Sequence, residues 1–380
     1  MRATTWIIPT LLAAGLAACG GGLSVGFGYW EYDHDHDHPK REWPRKPQNE
    51  GALLLIAGDV CNQCASSVDG TGSAARFNKP EGVAVDGAGN LYVAEPSGAV
   101  IRKITPQNVV TTLAGSAGAP GALDGTGAGA RFNLPSRLAT DSAGNVYVID
   151  SGNSTVRRIT PAGVVTTLAG VAGLCGSADG QGSGAQFCNP RGIALDQSGN
   201  LYVTDTQNHT VRRIDPGGRV TTVAGLAGAC GSADGRALAA RFCEPQDIAV
   251  DKWGNLFVAD TANSTVRQIK PNGEVTTIAG QAGVCGAADG GESARFCRNS
   301  GIEVDAAGDL YVADTGNSTI RRITPPGRVT TVAGMAGSTG FAIGALPGVL
   351  DAPPGIAMTG NDTFALTSGN LVLELSVTRR

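Results

Sequence analysis

Between residues 83 and 114, short runs of β-branched and aliphatic residues alternate with breaks of Gly, Pro, Asp and Asn. Val83 to Asp86, Leu91 to Ala94, Val100 to Thr105 and Val109 to Ala114 have the length and composition of strands. The Gly89-Asn90 pair supplies residues that tolerate positive φ at the first hairpin. Four such runs joined by short polar links predict a four-stranded antiparallel meander.

The pattern recurs along the chain. A strand ending in Ala-Gly closes at Gly58, Gly115, Gly170, Gly225, Gly280 and Gly334, at intervals of 57, 55, 55, 55 and 54 residues. One four-stranded sheet cannot bury both faces alone, so the copies must pack against one another. Five complete units fill residues 59–334. Beyond them, Gly355 to Met358, Thr363 to Leu366 and Leu371 to Val377 make three strands of a sixth unit. Leu53 to Ala57 is a fourth strand lacking its first three. Joining the two ends completes a sixth sheet and hides open sheet edges. The expectation is an all-β, six-bladed β-propeller of four-stranded antiparallel blades. Strand 53–57 closes the ring by joining the C-terminal blade, and the domain covers residues 51–380.

The repeated residues resemble the NHL-repeat family of propellers. The match lies in Pro190-Arg191-Gly192-Ile193-Ala194-Leu195-Asp196, Gly199-Asn200-Leu201-Tyr202-Val203 and Asp205-Thr206-Gln207-Asn208. The likeness covers nearly all of the chain after residue 50. That family spans lyases, scaffolds and RNA binders, so the resemblance implies a fold and leaves function open.

Residues 1–18 read as a leader, with Arg2 at its start and an apolar stretch, Ile7 to Leu16, too short to span a membrane as a mature helix. Leu16-Ala17-Ala18-Cys19-Gly20 resembles the lipobox of bacterial lipoproteins. This implies acylation at Cys19 and a place in the bacterial cell envelope, on the periplasmic side of the outer membrane, with lipid as the sole membrane attachment. Residues 19–50, rich in Gly, Pro and charge, read as a flexible tether. The tether holds Asp33-His34-Asp35-His36-Asp37-His38, whose His34, His36 and His38 are weak metal candidates. Flexible ligands lack the second shell that fixes a strong site, so the tract reads as a solvated spacer.

Nine cysteines minus Cys19 leave eight. Cys175/Cys188, Cys230/Cys243 and Cys285/Cys297 take the same two places in three successive units, and Cys61/Cys64 is a local pair. Export to an oxidising compartment predicts four disulfides, Cys61–Cys64, Cys175–Cys188, Cys230–Cys243 and Cys285–Cys297. Zinc would require pairs from different units to converge, and a ring holds equivalent positions apart.

Comparing the units with one another separates residues every blade needs from those that break the pattern. Asp69, Asp124, Asp179, Asp234 and Asp289, each before Gly, and the Arg-Phe pairs such as Arg131-Phe132 recur and read as blade-joining. Asp150, Asp205, Asp260 and Asp314, each with Asn three residues on, suit hydrogen-bonded turns. The carboxylates lack the dense spacing of a calcium loop. The third-strand pairs Arg157-Arg158, Arg212-Arg213 and Arg321-Arg322 read as solvated or Asp-paired, not as a nucleic-acid surface, since the formal net charge is −4.

The pattern-breakers gather where the inner strands begin. Glu81, Arg137, Arg191, Gln246 and Asp247 are expected to converge on one mouth of the central channel, a mixed-charge funnel suited to a polar ligand or peptide. Glu303 stands where the other units carry Ala84, Ala139, Ala194, Ala249 and Ala357. A carboxylate in that slot needs a cation or a proton. His209, the sole histidine after the tether, falls on a loop expected on the same face.

These features favour a non-catalytic binding module for an envelope protein or a polar ligand, monomeric and without cofactor. The alternative is a lactonase- or lyase-like propeller enzyme. Amidating lyases use a histidine-coordinated zinc, which one histidine cannot supply. Gluconolactonase-like propellers hold a divalent ion with Glu, Asn and Asp, toward which Glu81, Asp247 and Glu303 would contribute. A purely structural envelope protein is the third reading.

Overall fold

The computed structural model describes residues 51–60, 66–338 and 340–378. Cys19, His34, His36, His38 and the Cys61/Cys64 pair lie outside the described residues. Six antiparallel sheets arise from the six predicted units. In blade 1 the strands are Val83–Val85, Leu91–Glu95, Val100–Ile104 and Val109–Gly115, within a residue or so of their predicted limits.

Blade 6 is built from both chain ends. Ala52–Gly58 lies antiparallel to Leu371–Ser376, with Leu53 opposite Leu375 and Gly58 opposite Leu371. The Ala52 N–H also donates to Ser376 Oγ at 3.1 Å. Leu53 is fully buried with Phe364, Leu373 and Leu375, so the closing strand carries core as well as ladder bonds. Every blade thus has its four strands, the inner one forming the edge that lines the central channel.

Two local details differ from the sequence reading. Five of the sheets gain a two-residue strand on their outer edge, for example Gly125–Thr126 against Val164–Val165. The preceding Asp124 does not make a free turn. Its carboxylate accepts from Arg157 Nη2 at 2.7 Å and from the Thr167 amide at 3.0 Å, which holds the segment extended along the outer strand. At the first hairpin, Gly89 alone of the Gly-Asn pair takes positive φ, at 80°. Asn90 instead donates through Nδ2 to Asp86 Oδ2 at 2.8 Å, while Asp86 Oδ1 accepts from the Ala88 and Asn90 amides. The link is therefore a longer carboxylate-organised loop.

Between blades lies a repeated polar hub. Arg157 is fully buried, bonded through Nη1 to Asp150 and through Nη2 to Asp124, both at 2.7 Å, with its guanidinium 5.2 Å from the Phe132 ring centroid. Arg102, Arg212, Arg267 and Arg321 repeat the arrangement. Two carboxylates and neighbouring carbonyls surround each guanidinium, the condition under which a buried charge is tolerated. The Asp-paired reading thus holds for Arg157, Arg212 and Arg321 and, through Asp309, for Arg322, while Arg158 and Arg213 are exposed, as the solvated reading has it. Arg131 Nη1 donates to the Ala128 and Ala130 carbonyls within its own turn, while Phe132 packs between the strands of blades 1 and 2.

Cys175–Cys188, Cys230–Cys243 and Cys285–Cys297 are bridged, with Cα separations of 4.4, 4.5 and 4.5 Å. Each closes a loop of about a dozen residues, a constraint of roughly 3 kcal/mol in the chain-entropy view.

Candidate functional site

The inner strands begin at the ring axis, and the residue at this point decides what fills the channel. In blade 3 it is Gly192, where a Cβ would sit 2.6 Å from the Asp247 Cα. Glycine there lets the backbone of the next blade close in. Blades 2 and 4 carry Arg137 and Asp247 in the same column, and their side chains project to the axis.

Arg137 crosses the channel and seals it. Its Nε donates to Asp247 Oδ2 at 3.1 Å, and its Nη2 donates to the carbonyls of Ser300 at 3.0 Å and Pro354 at 2.7 Å. Only 5 % of the residue is exposed. Nη1 lies 3.8 Å from Glu81 Oε1 and, among the described residues, has no hydrogen-bond acceptor. Glu81 Oε1 in turn accepts from Arg191 Nη1 at 3.1 Å. The structure therefore brings Glu81, Arg137, Arg191 and Asp247 into one alternating chain of charge across the axis. Its inner half, Arg137–Asp247, is buried. Its outer half, Glu81–Arg191, keeps 21 % and 32 % of its side-chain surface in solvent. Burial pushes the Asp247 carboxyl up, while Arg137 and the Ile248 and Ile302 amides pull against it.

Gln246 is half-buried beside Asp247, and its carbonyl packs against Gly192. His209 sits at φ 59°, and its Nδ1 accepts the Glu244 N–H at 3.2 Å. Ser154 Oγ accepts the Asn189 N–H in the same way one blade earlier. His209 thus stitches blade 3 to blade 4 at the rim and does not join the axial network. Beneath the Arg137 seal the channel continues as a cavity of about 190 Å³, lined by inner strands of all six blades. Glu303 interrupts its ring of alanines. The Glu303 carboxylate accepts the Val304 N–H at 3.1 Å, and no ion pair holds it among the described residues. Desolvation, reinforced by Asp247, raises it to about 7 against the Val304 and Met358 amides. The protonated form is therefore favoured well beyond the usual carboxylate range.

Sequence reasoning missed a cleft beside Glu81. Lys79, Glu81, Asp351, Pro354 and Asn370 line a space of about 390 Å³ between blades 6 and 1. Its origin is legible in hindsight. Blades 2 to 5 carry a 3-10 turn here, such as Ser151–Asn153, whereas blade 6 turns tightly at Gly369-Asn370 and leaves a notch in the rim. Ser136 was also overlooked. Its hydroxyl donates to the Arg191 carbonyl at 2.8 Å and so ties blade 2 to blade 3 beside the seal.

The family described as NHL repeat matches residues 132–159, 187–214 and 242–269. The chain is 40 % identical over 98 residues to SUPPRESSOR OF QUENCHING 1 of Arabidopsis thaliana, a match covering 26 % of this chain and 9 % of that protein. It is 34 % identical over 151 residues to NHL repeat-containing protein 2 of Bos taurus, covering 36 % and 21 % respectively. The chain therefore spans a small part of the length of these relatives. Among solved structures, it is similar to an auxiliary nutrient binding protein of Bacteroides thetaiotaomicron at 17 % identity and TM-score 0.66, covering 87 % of this chain and 78 % of that one. A streptogramin B lyase superposes with TM-score 0.55 at 12 % identity, covering 87 % and 98 %. At such identities these structures share the fold.

Proposed function

This chain is an NHL-repeat six-bladed β-propeller, and from that premise we propose that it works as a non-catalytic binding module whose channel mouth takes a protein segment or polar ligand. The observation that carries this reading is Arg137 Nη1, a buried N–H with no hydrogen-bond acceptor among the described residues, set beneath the half-exposed Glu81–Arg191 pair. A buried unsatisfied donor costs about 1–3 kcal/mol. An exposed ion pair is held by about 0–1 kcal/mol. A ligand carboxylate or carbonyl oxygen that parts the Glu81–Arg191 pair therefore gains more at Arg137 than it loses at the rim. The adjoining cleft between blades 6 and 1 gives the rest of such a ligand somewhere to lie.

A divalent ion shared by Glu81, Asp247 and Glu303 fits less well, because the Arg137 guanidinium occupies the space between the first two. Among the described residues, no three His, Cys, Asp or Glu side chains gather as a metal site. Propellers of this form serve as a nutrient binder in one neighbour and a lyase in another, so the mouth, not the fold, supports the choice. The lipobox-like Leu16 to Cys19 places the module at the bacterial envelope in this proposal, anchored by lipid at Cys19 with residues 19–50 as spacer. It acts as a monomer and binds no nucleic acid.

The test is capture from envelope extract with the lipid-free chain as bait, comparing Arg191→Glu with the outer-strand control Thr166→Glu. The proposal expects a protein held by wild type and by the control to be lost with Arg191→Glu. Equal capture by all three would overturn it.

A further inference from the structure

At the far end of the channel from the mouth, blade 4 departs from its sisters in four places that converge on one pocket. In blades 1, 2 and 3 a tyrosine on the second strand faces a base across the ladder, Tyr92 with Lys103, Tyr147 with Arg158 and Tyr202 with Arg213. Blade 5 keeps the pair as Tyr311 with Arg322. Blade 4 alone among these has Phe257 facing Gln268. Its first hairpin is also unusual. Where the other loops carry small or neutral residues, blade 4 has Lys252-Trp253. Trp253 is 59 % exposed and is the only tryptophan in residues 51–380.

The exchanged residues change the chemistry of the loop carboxylate. Tyr92, Tyr147 and Tyr202 donate their phenols to Oδ2 of Asp86, Asp141 and Asp196 at 2.9, 3.1 and 3.2 Å. Asp251 keeps the rest of this arrangement. Its Oδ1 accepts from the Trp253 and Asn255 amides, and its Oδ2 accepts from Asn255 Nδ2 at 2.7 Å. Phe257 has no hydroxyl, so Asp251 Oδ2 keeps an acceptor position that a phenol fills in three sister blades. The space between blades 4 and 5 is correspondingly open, a pocket of about 370 Å³ lined by Trp253, Phe257, Gln268, Leu310, Ile323 and Pro326, with Asp251 at its edge. Lys252 lies 4.4 Å from the Trp253 ring centroid and donates to the Ala306 carbonyl at 3.2 Å, which steers the indole toward blade 5.

We infer that this pocket binds the ring of a saccharide. A pyranose has an apolar face of C–H groups and an edge of hydroxyls. The Trp253 and Phe257 rings offer apolar surface to the first. Asp251 Oδ2 accepts from the second, where the sister blades supply their own hydroxyl, and the Gln268 amide both donates and accepts beside it. A purely apolar ligand would leave the Asp251 acceptor unmatched, and a cation would meet Lys252. The site lies one inner-strand length from the mouth and stands independently of the function proposed there.

The test uses the full chain with maltose, cellobiose and chitobiose as probes, read by tryptophan emission and by calorimetry. Trp253→Phe serves as the optical blank, because the chain also carries Trp6, Trp30 and Trp43. At least one disaccharide is expected to saturate the wild type. Phe257→Tyr rebuilds the arrangement of blades 1 to 3, so its fold is not at risk. It is expected to weaken binding by about 10- to 100-fold, the value of one hydrogen bond to a charged acceptor. Trp253→Ala is expected to abolish binding. Failure of all three sugars to bind would overturn the inference, as would binding that both substitutions leave within about twofold. Binding of the apolar dye anilinonaphthalene sulfonate that Phe257→Tyr leaves unchanged, with no sugar bound, would likewise overturn it and mark the pocket as merely greasy.

Discussion

Glu303 offers a measurement in which the sign is fixed before the experiment. The substitution is Glu303→Ala, which installs the residue carried at this column by the other five blades. Below about pH 4.5 the carboxyl is protonated in both folded and unfolded chain, and the group costs nothing. Between its ordinary value of 4.5 and its folded value of about 7, the unfolded chain releases the proton while the folded chain keeps it. Stability of the wild type therefore falls across that window and levels off above it. Each pH unit of difference is worth about 1.4 kcal/mol. The shift thus corresponds to a loss of about 3 kcal/mol, reduced toward 2 because Glu303 is only partly buried. The alanine variant lacks the group and lacks the slope. It also loses the acceptor for the Val304 and Met358 amides, but that penalty does not change with pH. The readout is the variant's stability minus the wild type's, from urea unfolding at intervals between about pH 4 and about pH 8. The difference should climb by about 2–3 kcal/mol toward neutral pH in favour of alanine. A difference that stays flat would refute the reasoning, since it would mean that Glu303 has a cationic partner or full access to water.

Two further outcomes follow from the closure of the ring and its seal. Arg137→Met leaves Asp247 buried without a cation and removes a donor from the Ser300 and Pro354 carbonyls, the latter keeping the Ser300 hydroxyl, a loss of about 3–5 kcal/mol. Adding Asp247→Asn should recover part of it, and a double-mutant cycle by urea unfolding showing simple additivity would deny the coupling. Leu53→Ala removes a fully buried side chain from the closing strand and should cost about 2–4 kcal/mol. A loss under about 1 kcal/mol in thermal unfolding would mean that the N-terminal strand does little to hold blade 6.

The architecture could be read from the sequence because it is written five times over. Period-two runs between Gly and Asp breaks appear at one spacing, so errors in any copy are corrected by the rest. The closing of blade 6 from both ends followed from counting strands, since an orphan fourth strand at Leu53 and a triplet ending near Val377 complement each other. The cluster of charge at the ring axis was partly legible for a related reason. Arg137 and Asp247 break one column, Glu81 and Arg191 stand in the column before it, and a ring maps equal column positions to one circle. What the sequence could not carry was reach. Whether Arg137 points outward to a ligand or across to Asp247 depends on how closely the backbones of Gly82 and Gly192 let the neighbouring blades approach. That distance is set by the packing of all six sheets together. The outer two-residue strands were missed because Asp-Gly is a turn signal locally, and here a buried arginine from another strand overrides it. The pocket at Trp253 needed both kinds of information. The exchanges at Phe257 and Gln268 are visible in the sequence, but only the register places them opposite each other.

The antiparallel register of blade 6 also orients the whole disc. Gly58 pairs with Leu371, next to the rim turn at Gly369-Asn370, while Ala52 pairs with Ser376 at the other end of the sheet. Both termini of the described domain therefore leave from the underside. Gly51 and Thr378 thus lie at the end of blade 6 opposite the Gly369-Asn370 turn, the end at which the first hairpins of the blades, Trp253's among them, also lie. A fusion or surface attachment at either end would leave the Glu81–Arg191 rim unobstructed, whereas an insertion at Gly369-Asn370 would shade it.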